Sequence, residues 1–149
     1  MDKFYIITNS AKDKNQEFTN EIVKYLRDHG RQCQVQLAER KKEGAYHYTN
    51  PDLIPEGTQC LLVLGGDGTL LQAARDIQAV HNETSSQLLL LGVNLGHLGF
   101  LADVDSQSVY SAIDKLTADI YEVEERMMLS GTVYRDGKAI GQDIALNDI

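Results

Sequence analysis

Apolar and polar positions fall into blocks of changing period along the chain. Phe4-Tyr5-Ile6-Ile7-Thr8 is a short apolar run suited to a buried strand, and Asn9-Ser10-Ala11-Lys12-Asp13-Lys14 is a polar turn after it. Phe18, Ile22, Tyr25 and Leu26 then recur on one helical face, and Gly30 follows where a left-handed C′ residue would stop the helix. Cys33, Val35 and Leu37 alternate with glutamines, which predicts a half-buried strand near a sheet edge. Between residues 39 and 58 the period is lost. The charged run Glu39-Arg40-Lys41-Lys42-Glu43-Gly44 and the prolines Pro51 and Pro55 predict a surface connection. Tyr46-His47-Tyr48 within it could stack on a planar ligand, but loop aromatics more often pack on their own domain.

The strongest feature is Leu61-Leu62-Val63-Leu64-Gly65-Gly66-Asp67-Gly68-Thr69-Leu70-Leu71. Residues 61–64 are too few for a buried helix and the glycines after them would break one, so a strand ending in a tight turn is expected. From Thr69 onward Leu70, Ala73, Ala74, Ile77 and Val80 repeat at helical spacing, so the turn delivers the chain to a helix N-terminus. Unpaired N–H groups and a positive dipole end make such a terminus receptive to phosphate. Glycines there let the backbone approach a ligand and take positive φ at little cost.

A polar link at 81–86 leads to a continuous apolar run at 87–93, the pattern of a strand covered on both faces. A second glycine-containing turn, Asn94-Leu95-Gly96-His97-Leu98-Gly99-Phe100-Leu101, follows it. Alone it is weak evidence for a ligand site, and a histidine in such a loop is more often solvated or locally paired than catalytic. Asp105 or Ser106 can cap a helix that carries Val109, Ala112, Ile113 and Leu116 on one face, and residues 120–125 read as extended. Strands alternating with helices at these spacings predict an α/β fold, a Rossmann-like, mostly parallel sheet with flanking helices. Ligands in such sheets bind at the carboxyl ends of the strands, where both glycine turns fall.

The pattern changes after residue 125. Residues 127–134 and 139–149 read as two strands about Arg135-Asp136-Gly137-Lys138, an Asp-Gly hairpin turn, with no helix between them. The expected organisation is an α/β nucleotide-binding domain over 1–125 and, over 126–149, the start of a β-rich second domain. Because the chain stops inside a strand-like pattern, that second domain is expected to be truncated after its first hairpin.

Composition narrows the partners. A chain of 149 residues with 42% hydrophobic content can build a full core. Its formal net charge of -8, without a basic stripe, argues against nucleic acid or an anionic membrane as partner, so any phosphate must be held locally. No apolar run resembles a signal peptide or spans a bilayer, and a cytoplasmic location is expected. Cys33 and Cys60 fall in predicted strands without partners at zinc spacing, which favours core thiols over a disulfide or metal site.

The chemistry of the glycine turn depends on its acid. There is no Gly-x-x-x-x-Gly-Lys-Ser/Thr loop, protein-kinase signature, serine nucleophile elbow or metalloprotease helix. A carboxylate among phosphate-binding amides opposes the anion unless it has a task. Asp67 can accept a proton from an attacking hydroxyl or help hold the magnesium ion that accompanies phosphates. The simpler alternative is that Asp67 caps the helix beginning near Thr69. A mere cap does not require three glycines, so the functional reading is favoured. Thr69 can cap or bond a phosphate oxygen, and Leu70 and Leu71 are core or pocket wall.

Gly65-Gly66-Asp67-Gly68-Thr69 resembles the glycine-rich motif shared by NAD kinases, diacylglycerol and sphingosine kinases and, with serine for threonine, phosphofructokinases. Residues Gly92 to Leu101, then Glu125-Arg126-Met127-Met128-Leu129, then Asn147-Asp148 are similar in order and spacing to bacterial NAD kinases. The resemblance implies transfer of a phosphoryl group from ATP, or polyphosphate in some members, to the 2′-hydroxyl of the adenosine ribose of NAD, giving NADP. It implies Asp67 as the base or orienting group, Gly66, Gly68 and Thr69 around the phosphates, and Phe100 lining a dinucleotide pocket beside Leu71. It also implies Asn147 and Asp148 on ribose hydroxyls and the diphosphate, magnesium as the divalent cation, and a homo-oligomer for the full-length protein. Family members continue into a β-rich domain with a Gly-Ser-Thr-Ala-Tyr-like segment absent here, so the 149 residues alone are expected to be inactive. The alternatives are a lipid or sugar kinase sharing the motif and a nucleotide-binding module without turnover.

Overall fold

The computed structural model describes residues 1–40, 47–81, 88–97, 99–102 and 104–146. Strands β1 (Lys3–Thr8) and β2 (Gln32–Leu37) are joined by helix α1 (Glu17–Asp28), and two short strands, β3 (Glu39–Arg40) and β4 (His47–Tyr48), pair antiparallel. The chain continues through β5 (Cys60–Gly65), helix α2 (Asp67–His81), β6 (Leu89–Asn94), β7 (Val104–Asp105) and helix α3 (Val109–Thr117). It ends in β8 (Leu129–Arg135) and β9 (Lys138–Ala145). The main sheet has the order β2-β1-β5-β6-β7, and every pairing in it is parallel.

At β1 and β5 the sheet is covered on both faces, alternate residues of these strands pointing to opposite sides. Phe4, Ile6, Leu62 and Leu64 pack with Ile22 and Leu26 of α1 and Val109 and Ile113 of α3. Tyr5, Ile7, Leu61 and Val63 pack with Ala73 and Ile77 of α2. Strand β5, central and paired on both edges, is buried throughout, as its unbroken apolar run requires. Truncating its centre, Leu62→Ala, is expected to cost about 2–5 kcal/mol of stability, read as a lower urea midpoint at unchanged slope.

Helix α1 stops as its sequence signals. Gly30 has φ 74°, its N–H donates to Arg27 O, and the Arg31 N–H donates to Leu26 O, the paired bonds of a Schellman turn. Its start depends on Asp13, buried, whose carboxylate accepts from the Phe18 and Thr19 N–H groups at 3.1 and 2.8 Å. At the start of α3, Asp105 Oδ1 accepts from the Ser108 N–H and hydroxyl and from the Gln107 N–H. These bonds, the Ser108 amide first, hold the Asp105 carboxyl below its ordinary value of 3.8. The lowered folded-state pKa means that the stabilisation is present above the unfolded value and is lost as pH falls through the folded one. Asp105→Ala should therefore lower the melting temperature at pH 7, with the gap to the parent closing below about pH 4.

Several strand readings are revised. In β2 the glutamines are not uniformly outward. Gln36 is 8% exposed and bonds the Tyr5 hydroxyl and both backbone groups of Asn50, whereas Val35 and Leu37 are 37% and 39% exposed. The connection over 47–54 covers that face, so a polar residue finds partners there and the apolar ones on the open edge do not. The connection is itself partly regular, with β4 and a 3-10 turn at Pro51–Leu53, and the Thr49 N–H donates to Asp76 of α2. Strand β6 is not covered on both faces. Leu90 is 37% exposed, and Leu88 to Leu91 border an open groove of about 810 Å³. The two-residue β7 is too short to leave a periodic signal.

The hairpin forms as expected. Asp136 and Gly137, with φ 51° and 76°, make the two-residue turn between Arg135 and Lys138, and a register shift at Val133/Tyr134 bends it. Residues 120–128 carry no regular element. Both cysteines are free and buried, and burial pushes the Cys33 thiol up to about 11 and the Cys60 thiol up to about 12. Among the described residues no helix is long and apolar enough to cross a membrane.

Candidate active site

Parallel pairing sends the carboxyl ends of β1, β5 and β6 to one edge of the sheet, and β5 lies between the other two. The turns that follow these strands are therefore neighbours in the order first, second, third.

Helix α2 begins at Asp67, two residues before the periodic pattern starts, and its first turn is closed by the Leu70 N–H donating to Gly66 O at 3.2 Å. Asp67 does not act only within that helix. Its Oδ2 accepts from the Phe100 N–H at 2.7 Å and its Oδ1 from the Leu101 N–H at 3.2 Å. The acid of the second turn is thus held by the backbone of the third. The Leu95 N–H donates to Gly65 O at 2.7 Å and fastens the same two turns again.

The glycines serve close approach more than unusual dihedrals. Gly65, Gly66 and Gly68 all lie outside the positive-φ region, and in these two turns only Gly96, at 110°, has a positive φ among the described residues. A Cβ on Gly65 would sit 2.6 Å from Thr69 Oγ1, and one on Gly66 would sit 2.7 Å from Lys12 Nζ. One on Gly99 would overlap the Asp67 carboxylate at 2.3–2.6 Å. Gly68 is exposed and faces open space, leaving its backbone accessible.

Thr69 is 4% exposed and its Oγ1 accepts from Asn9 Nδ2 at 3.3 Å, so the hydroxyl braces the second turn against the first. Leu71 is half-buried. The Phe100 ring is 98% exposed, so its backbone rather than its side chain is engaged with the site. His97 is exposed, in keeping with a solvated loop histidine. Asn147 and Asp148 lie outside the described residues.

Two residues of the first turn escaped the sequence reading. Asn9, 4% exposed, donates its N–H to Leu64 O at 2.9 Å and its side-chain amide to Thr69, and its carbonyl accepts from the Lys12 N–H at 3.0 Å. Lys12 follows on a backbone so held, its ammonium over Gly66. Their only signal was position, a polar turn at the carboxyl end of a strand. In the third turn Asn94, also buried, donates to Ala102 O at 3.3 Å, and its Oδ1 finds no partner among the described residues.

The arrangement brings a carboxylate, a helix N-terminus and an ammonium group to one sheet edge. Among the described residues no group of three His, Cys, Asp or Glu side chains could hold a metal ion. Asp67 is the one carboxylate at this edge among the described residues singled out for the site, and magnesium bound with phosphates commonly takes only one or two protein carboxylates.

The chain is similar to known proteins in both sequence and fold. The NAD kinase of Lachnospira eligens is 40% identical over 152 residues, covering all of this chain and 49% of that protein. The NAD kinase of Lachnoclostridium phytofermentans is 38% identical, covering all of this chain and 50% of its own length. The chain thus spans about half the length of the curated relatives it matches. Yeast NADH kinase, solved in complex with NADH, shares the fold at TM-score 0.71 and 18% identity over 99% of this chain and 47% of its own. An NAD kinase from Archaeoglobus fulgidus, solved with ATP, does so at TM-score 0.56 and 16% identity over 92% of this chain and 45% of its own. The model of the ATP-NAD kinase N-terminal domain matches residues 4–121, and the chain belongs to that family.

Proposed function

We propose that this chain is the nucleotide-binding half of an NAD kinase, which transfers the terminal phosphoryl group of ATP, or of polyphosphate, to the adenosine 2′-hydroxyl of NAD. The observation that carries the reading is the Asp67 carboxylate, set at the first residue of α2 and held by the Phe100 and Leu101 amides. A carboxylate has about four acceptor positions. Two backbone bonds leave it able to accept one more proton while fixing its direction. In the reaction the 2′-oxygen forms a bond to the terminal phosphorus, the bond to the bridging oxygen breaks, ADP leaves, and the hydroxyl proton passes to Asp67. Phosphoryl transfer needs alignment and charge stabilisation more than covalent help from the protein. The N-terminal N–H groups of α2, with Gly68 leaving space beside them and Gly66 letting the Lys12 ammonium come close, suit that task.

Phe100, Leu71, Asn147 and Asp148 belong to the acceptor side of this reading. Magnesium would arrive with the nucleotide, as part of the substrate. The α/β unit of 1–125 would be followed by a β-rich domain whose first hairpin lies within 126–149. An uncovered Phe100 ring fits a site whose other wall comes from that domain, and the 149 residues alone should then turn over little NAD. Self-association of the whole protein belongs to the same reading, as for the family the chain resembles. Two free buried thiols suit a reducing, cytoplasmic setting, and the net charge of -8 suits small-molecule partners rather than nucleic acid or membrane.

The test is an acceptor panel on the longest product the gene encodes, with ATP as donor and NAD, diacylglycerol or fructose phosphate as acceptor. Phosphate incorporation should occur with NAD alone. Incorporation into lipid or sugar without NADP would overturn the assignment.

A further inference from the structure

The β1 turn brings a cation to the glycine motif that the reading so far leaves without a task. The Lys12 side chain is exposed, and among the described residues it has no hydrogen-bond or ion-pair partner. Its ammonium lies over Gly66, close enough that a methyl group on that glycine would stand 2.7 Å from Nζ. Its backbone is fixed on both sides. Asn9 receives the Lys12 N–H at 3.0 Å and is itself bonded to Leu64 O and Thr69, and Asp13 next in sequence is buried against the start of α1. An ammonium carried by a fixed backbone to the positive end of a helix, with no ion-pair partner among the described residues, is suited to an anion that bridges the two.

The topology says which anion. Strand β5 has β1 on one side and β6 on the other. Asp67 reaches toward β6, to the Phe100 and Leu101 amides, which marks that side for the acceptor hydroxyl. Lys12 comes from the β1 side. We infer that Lys12 binds the phosphate chain of the donor in the gap between the β1 and β5 turns, across the motif from the acceptor. The inference rests on the proposed kinase reading and adds to it a donor-side residue and a division of the motif into two sides. An ammonium there neutralises the donor's charge and stabilises the negative charge that builds on the leaving oxygens as the phosphoryl group departs.

Three variants of the longest gene product test this: Lys12→Ala, Lys12→Arg, and Lys14→Ala as a control that removes the same charge from the same turn. Lys12→Ala should raise KM for ATP or lower kcat/KM for ATP by about ten- to hundredfold, as expected for loss of a charge-assisted bond, with KM for NAD within about twofold. Lys12→Arg should recover most of the loss, and Lys14→Ala should leave both constants near the parent values. A rise confined to KM for NAD would overturn the donor assignment, as would equal losses from Lys12→Ala and Lys14→Ala. Calorimetry with inorganic tripolyphosphate separates this inference from the kinase reading. If the parent makes no NADP yet binds tripolyphosphate in a Lys12-dependent manner, the kinase reading fails and the lysine assignment stands. If the parent makes NADP and the Lys12→Ala variant matches it in both assays, the lysine assignment fails alone.

Discussion

Replacing Asp67 by asparagine is expected to lower NADP formation by about 10²- to 10⁴-fold, the usual contribution of a positioned general base. The side chain keeps its shape, so Leu70, Ala73 and the rest of α2 should pack as before. It loses the ability to take up the ribose proton. One amide oxygen can still accept from either the Phe100 or the Leu101 N–H, but the amide NH2 then faces the other donor. Part of any loss will therefore come from loosened turns, and KM for NAD should rise modestly as well. A rate within about threefold of the parent would mean that Asp67 only ties the second and third turns together.

Gly99→Ala separates those two roles, because it leaves the carboxylate chemically intact and changes only where it sits. The new methyl would stand 2.3 Å from Asp67 Oδ1 and 2.6 Å from Oδ2. Asp67 is a short side chain on the first residue of a helix, so it cannot swing aside without giving up both amide bonds. Either the carboxylate turns away from the acceptor or the third turn lifts. A displacement of about 1 Å at a reacting group costs on the order of 10²-fold in rate. The expected outcome is a fall of that size in kcat/KM for NAD, with a melting temperature close to the parent's because the sheet and its helices are untouched. Full activity in Gly99→Ala would show that the closeness of these two turns is incidental to turnover.

Most of the α/β layout could be read from the chain because each strand and helix carries its own period. Leu61 to Leu64 had to be a strand, Ile22 and Leu26 had to face a core, and Gly30 and Asp136-Gly137 marked their turns correctly. The misreadings share a physical cause. Gln36 is buried and Leu90 partly exposed because of which residues distant in sequence do or do not meet there, and no local pattern encodes those meetings. The glycines illustrate it best. Their presence predicted a strand-to-helix turn suited to phosphate, yet what each one makes room for, Thr69, Lys12 or the Asp67 carboxylate, depends on strand order. For the same reason Lys12 and Asn9 passed as a polar turn. Only the parallel pairing of β1 with β5 brings them to the motif.

The position of the transferred phosphate decides whether Asp67 serves a ribose 2′-hydroxyl. The longest product of the gene, incubated with ATP and NAD, should give one new monoester by ³¹P NMR, on the adenosine 2′-oxygen, with ADP in equal amount. The same protein should not turn over the 2′-deoxy analogue of NAD. A folded protein that binds ATP and NAD yet forms no 2′-phosphate, or one that turns over the 2′-deoxy analogue, would rule out phosphoryl transfer to the 2′-hydroxyl.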